Sequence, residues 1–148
     1  MLEIVFLYLF VCAIMGHMVG DYLLQNQWLA LNKSKPGRLG ALACTIHVLL
    51  YTAAVSLFTG LHGLLFLVLV AVPHGIIDRY SLGLKLLNFK NKIEERWSPK
   101  ERPWHYNKGT VENTWQIAFA APVYIANDNT LHFLCLWILL RFVVTGHV

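Results

Sequence analysis

The sequence predicts an all-α protein, a polytopic membrane bundle of about four transmembrane helices with a cytoplasmic interfacial segment. Two observations carry this. Of 148 residues, 57% are hydrophobic, and a mean hydropathy of +0.53 is too high for a soluble domain of this length; the apolar residues also come in long blocks. Second, the positive charge is blocked. No Lys or Arg precedes Lys33, none lies between Arg38 and Arg79, and eight fall from Arg79 to Lys108, a distribution that reports topology. The length suits one integral membrane domain, 1–148.

Residues 2–20 are apolar apart from Glu3 and His17. With no basic leader region they read as a retained span, not a removable signal. The stretch from Asp21 to Trp28 carries that helix on into the interface, where Tyr and Trp are favoured. Lys33-Ser34-Lys35-Pro36-Gly37-Arg38 is a turn with three positive charges, hence cytoplasmic, so the first helix runs inward. Residues 39–58 form the second span, with His47 as its ionisable group. The turn at 59–63 lacks Lys and Arg, and His62 there is expected to be solvated. Residues 64–80 return inward, with Pro73 able to kink the helix just before His74. The polar, basic stretch 84–108, containing Trp97, Trp104 and Tyr106, reads as an interfacial cytoplasmic loop, with anionic headgroup or phosphate binding as the functional alternative. Glu94, Glu95 and Glu101 dilute its field, so nucleic acid is not an expected partner. Residues 115–126, interrupted by Pro122, look too short to span and suggest a re-entrant or interfacial piece. Residues 131–144 make the fourth span, with Arg141 snorkelling at its outer end. Both termini then lie outside a plasma or inner membrane. The three cysteines, Cys12, Cys44 and Cys135, sit in apolar runs without C-x-x-C spacing and read as small buried hydrophobes.

The chain has only three aspartates, and each has a histidine four positions away: His17/Asp21, His74/Asp78 and Asp128/His132. With seven histidines, chance would give this about once in a thousand such compositions when spacing is counted. Four-residue spacing puts both side chains on one helix face. Two of the pairs lie on inward-running helices and the reversed third on an outward-running one, so all three place Asp shallower than His. His47, about 13 Å past Arg38 at 1.5 Å per residue, reaches the same depth. Intramembrane ionisable groups cost about 2.5–3.5 kcal/mol each on insertion scales. Gathering this many in the cytoplasmic leaflet points to a bound cation. The predicted ligands are His17, Asp21, His47, His74, Asp78, Asp128 and His132. Zinc is the first expectation for such a set, with manganese or iron as alternatives, and seven ligands allow one or two ions.

His17-x3-Asp21-Tyr22-x-Leu24-Gln25, then Trp28, Lys33, His47, His74-x3-Asp78 and Asp128-x3-His132, resembles a family of short multi-pass membrane proteins of bacteria and phages known as a domain of unknown function. The chain also looks distantly similar to membrane-bound metal-dependent hydrolases and, through them, to zinc-dependent phospholipase C. The resemblance implies that those seven residues line one site. The phospholipase pattern also uses an N-terminal amino group and further histidines, which have no equivalent here, and Asn129 stands where Gln is expected.

The function expected is that of a metal-dependent hydrolase in the membrane, a phosphoesterase. Asp78 would orient the attacking water, and Arg79, or Lys33 and Lys85, would steady negative charge. Membrane lipids and a phosphate-containing or lipid substrate are the expected partners. The alternatives are a divalent-cation transporter or channel, and a small membrane protein with a structural metal that acts by binding a partner.

Overall fold

The computed structural model describes residues 1–97 and 111–146, with side chains over 1–90 and 122–146. Among the described residues all regular structure is helical: α1 Leu2–Met18, α2 Gln27–Asn32, α3 Gly37–Thr59, α4 Leu64–Arg79, α5 Leu82–Trp97 and α6 Val111–Val144. Three helical stretches are long and apolar enough to cross a membrane: Leu2–Leu23, Gly37–Thr59 and Pro122–Val144. A fourth results if Leu64–Arg79 and Leu82–Lys90, separated by a break, count as one span. The protein is thus a multi-pass membrane protein by length and composition, and exposed side chains such as Ile4, Leu57 and Leu64 supply the apolar surface that lipid covers.

The chain forms two compact units, Met1–Ser81 with Leu131–Val148, and Leu82–Thr130. In the first, α3 is the central helix. Its buried residues Gly40, Ala43, Cys44, His47, Tyr51, Ala54 and Val55 recur at three- and four-residue intervals and form one continuous stripe. The matching stripe of α4 is Phe66, Val70, His74, Ile77 and Asp78. Helix α1 meets α3 through glycines spaced Gly16-x3-Gly20. A Cβ on Gly16 would fall 2.6 Å from the Val55 Cα, and one on Gly20 would fall 3.0 Å from the Tyr51 Cα. Small residues at this spacing let helix backbones touch in a membrane, where apolar burial itself provides no drive between helices.

Beyond Met18 the first span continues as a π-helical turn, Val19–Leu23, closed by Leu24 N–H donating to the Val19 carbonyl at 2.9 Å. Such single wide turns concentrate at functional sites, and this one carries Asp21. The helix then ends, so the expected continuation to Trp28 is broken at 24–26. Asn26 opens α2, its Oδ1 accepting from Leu29 N at 2.9 Å, an ordinary N-cap. At the far end of α3, Gly60 adopts φ 71°, the left-handed conformation that stops a helix. His62 is not simply solvated, since its Nδ1 lies 2.7 Å from Ser56 Oγ and helps close that turn.

In the second unit, α5 replaces the expected loop over 82–97. Asn127 Nδ2 donates to the Gly83 carbonyl at 2.6 Å. Asp128 stands so close to Gly83 that a Cβ there would lie 3.0 Å from the Asp128 Cα. Helix α6 corrects a second expectation. Residues 115–126 are no separate re-entrant piece but part of one helix, Val111–Val144, with Pro122 inside it. The polar run Asn127-Asp128-Asn129-Thr130 looked like a boundary, but the helix runs through it, with Asn127 on the Gly83 carbonyl and Thr130 bonding within the helix. Thr130 Oγ1 donates to the Ala126 carbonyl at 2.7 Å. Trp104 and Tyr106 lie outside the described residues.

Candidate metal centre

Four histidines and two aspartates converge in the first unit. His17 comes from α1, Asp21 from the π turn, His47 from α3, His74 and Asp78 from α4, and His132 from α6. The imidazoles are fully or almost fully buried. The stripe that packs each helix is also what aims each ring inward, since His47 and His74 sit at buried positions of α3 and α4.

At the centre lie four donor atoms. His47 Nε2 is 2.8 Å from Asp78 Oδ2 and 3.3 Å from Asp21 Oδ1. His74 Nε2 is 3.2 Å from Asp78 Oδ2 and 3.5 Å from Asp21 Oδ1. The two Nε2 atoms are 2.9 Å apart. Two imidazole nitrogens that face each other at this distance can share only one proton between them. Tyr51, four residues after His47, stacks flat on the His74 ring with centroids 3.4 Å apart and planes 10° apart, which holds that ring in place.

His74 also links this group to a second one. Its Nδ1 lies 3.1 Å from His132 Nδ1, and His17, His74 and His132 offer ring nitrogens all within 4.8 Å of one another. His17 Nδ1 is 3.5 Å from Asp21 Oδ2, and His132 Nε2 is 3.7 Å from Asp78 Oδ1. Each aspartate therefore turns one oxygen to the central four and the other to the second group. A cavity of about 10 Å³ lined by Pro73, His74, His132 and Cys135 adjoins this second group, at the lower limit of what one water needs.

A family model described as "Protein of unknown function (DUF3307)" matches residues 9–147. The chain belongs to this family. The DUF3307 match takes in every member of the cluster. No curated protein and no solved structure matches the chain.

Of the seven ligands expected from sequence, six meet in the first unit. Asp128 belongs to the second, where it stands against Gly83. Arg79 departs from its expected role beside the reacting centre. Its guanidinium donates to the carbonyls of Lys33 at 3.2 Å, Gly37 at 3.5 Å and Lys35, so it ties α4 to the 33–37 turn. Lys33 is the cation that enters the cluster instead. Its Nζ donates to Gln25 Oε1 at 2.6 Å and to Asp78 Oδ2 at 2.8 Å, and lies 3.3 Å from His47 Nε2. Part of the positive charge expected from an ion alone is therefore already supplied by the chain. Sequence reasoning missed Tyr51 and Gln25. Tyr51 carried a usable signal, since it shares the helix face of His47. Gln25 lies in a break between helices, where spacing predicts no facing.

Proposed function

We propose that this DUF3307 protein is a membrane-embedded metal-dependent hydrolase acting on a phosphoric ester, with a divalent ion bound by Asp21, His47, His74 and Asp78. One observation carries the metal. A tetrahedral ion with ligands at about 2.0–2.2 Å needs its donor atoms about 3.3–3.6 Å apart. The five separations among the four donors that involve an imidazole nitrogen run from 2.8 to 3.5 Å. The shortest would open by roughly half an ångström to admit an ion of that size. Asp21 Oδ1 is buried and has no hydrogen-bond partner among the described residues, as suits an atom meant for a cation. Zinc is the first choice for two imidazoles and two carboxylates, ahead of manganese and iron.

Hydrolysis is the reaction that makes use of what four ligands leave over. His17 and His132, with the outward oxygens of Asp21 and Asp78, form a second donor group beside a water-sized cavity, which favours a two-ion centre bridged by carboxylate. Divalent ions held there would supply Lewis acidity towards a phosphoryl oxygen and acidify water that reaches them. The chain's own part is to hold the ligands rigid: Tyr51 clamps His74, and Arg79 fixes the turn from which Lys33 reaches in. Asp78, engaged through both oxygens, serves better as a bridging ligand than as a free base for water. The positive residues Lys33, Lys35, Arg38 and Arg79 favour a cytoplasmic side for this end, with both termini outside, and on that reading a substrate would be a lipid phosphate or a cytoplasmic ester.

A second reading has its own support. Four protein donors already complete a tetrahedron, the mark of a structural site. Transport has less, because the core beyond the cluster is built mainly from Phe6, Val55, Phe66, Val70 and Leu140. Among the described residues its buried polar groups are the neutral hydroxyls of Thr52, Ser56 and Thr59, with no carboxylate to relay an ion.

Elemental analysis of detergent-purified protein tests the metal, and a panel of phosphodiesters and phospholipids tests the reaction. Tightly bound divalent metal is expected, and His74→Ala is expected to lose both metal and turnover. Full metal retention by that variant would reject the site. Wild-type metal without any turnover would leave the structural reading in its place.

A further inference from the structure

We infer that Lys33 is the resident counter-ion of this centre and that a divalent cation enters by exchange with its ammonium group. The inference rests on the metal reading above and concerns how that site is loaded. The ammonium donates to Gln25 Oε1 and Asp78 Oδ2, and its third hydrogen has His47 Nε2 within reach at 3.3 Å. Two of those three atoms belong to the proposed tetrahedron. His47 Nε2 has a single lone pair when it accepts, so it cannot receive a proton from Lys33 and bind an ion together. Contact with Lys33 and coordination at that atom exclude each other.

Charge leads to the same exchange. With Asp21 and Asp78 ionised, the group carries one net negative charge when Lys33 is in place. A divalent ion in place of the ammonium brings it to neutrality, and both together leave it positive inside a medium of low dielectric, where an unbalanced charge is costly. Lys33 is also the member that can leave. Its side chain is 16% exposed, against 2% for Asp78 and 0% for His47, and its four-carbon stem allows the ammonium to swing to water while the backbone stays fixed. The backbone is held by Arg79 on the Lys33 carbonyl at 3.2 Å. The neighbouring cations are committed elsewhere: Arg79 to the turn carbonyls, and Lys35 to Asn32 Oδ1 at 3.0 Å.

The test measures zinc affinity of detergent-solubilised protein by competition with a chelator, for wild type, Lys33→Met, Lys33→Arg and Gln25→Leu, together with thermal melts in chelator and in zinc. Lys33→Met is expected to bind zinc at least about tenfold tighter, since a unit charge a few ångströms from the ion is removed. Gln25→Leu, which releases one of the ammonium's three holds, is expected to bind a few-fold tighter, and Lys33→Arg is expected to stay near wild type. In chelator Lys33→Met should melt below wild type, and in zinc above it. A purely structural lysine would lower both melts. Zinc binding by wild type with neither Lys33→Met nor Gln25→Leu any tighter would overturn the exchange and leave the metal site standing. No zinc binding by wild type would overturn both.

Discussion

Two ion pairs of nearly equal length sit at opposite ends of the first unit. Arg141 Nη1 lies 2.7 Å from Glu3 Oε1, with side chains 38% and 75% exposed. Lys33 Nζ lies 2.8 Å from Asp78 Oδ2, with side chains 16% and 2% exposed. A list of distances would rank them as equals, but their surroundings differ. The first pair is open to solvent, which screens it, and pairs of that kind contribute little. The second is enclosed by His47 and His74, and Asp78 left without its cation would be a charge stranded in a low-dielectric interior. What separates the two pairs in this protein is burial together with the number of groups competing for one atom. Asp78 Oδ2 is within 3.2 Å of three nitrogens; Glu3 answers to one arginine.

The largest expected effect comes from breaking the buried pair on one side only. Asp78→Ala, measured without metal by denaturant or thermal unfolding in detergent, should cost about 3–5 kcal/mol, because Lys33, His47 and His74 lose the buried oxygen they share. The double variant Asp78→Ala with Lys33→Met should recover the part of that loss that belongs to Lys33, giving a coupling energy above zero. An Asp78→Ala protein as stable as wild type would mean that burial does not distinguish the two pairs.

A smaller loss is expected at the helix contact that brings the histidines of α1 and α3 together. Gly16→Val puts a branched side chain where a Cβ already falls 2.6 Å from the Val55 backbone. Overpacking of this kind costs about 1–3 kcal/mol, and here it would separate α1, with His17, from α3, with His47. Zinc affinity should fall along with the melting temperature. A stable variant with unchanged affinity would show that the α1–α3 spacing does not set the site.

That contact also marks how far the fold and the cluster were legible. The four-residue spacing of His and Asp was readable because it depends only on helical period, and for His74 and Asp78 an undistorted helix delivers it. His17 and Asp21 keep the spacing across a π turn that hydropathy cannot signal, since it changes backbone pairing and not composition. The apolar blocks revealed the spans, yet the polar run 127–130 hid the continuity of α6, because composition does not show that Thr130 bonds back to the Ala126 carbonyl and that Asn127 finds the Gly83 carbonyl. Lys33 looked like an ordinary topology charge. Its role depends on where Arg79 pulls the 33–37 turn, a tertiary fact with no local pattern. The Gly16-x3-Gly20 spacing was present in the sequence, and it lies one residue from His17.

The smallest effect should come from the exposed pair, and it divides unequally between the partners. Glu3→Gln removes the charge and little else, so its melting temperature and zinc affinity should match wild type within error. Arg141→Ala should cost more than Glu3→Gln, because the guanidinium also covers the Phe6 ring at 4.0 Å from its centroid and lies 5.4 Å from that of Trp137. An exposed cation over an aromatic face is worth about 0.5–1 kcal/mol. The two variants thus separate the ion pair from the ring contact, which the distance to Glu3 alone would conflate. If Glu3→Gln lost as much stability as Asp78→Ala, solvent screening would not be weakening the exposed pair, and the contrast between the two ends would have to rest on histidine crowding alone.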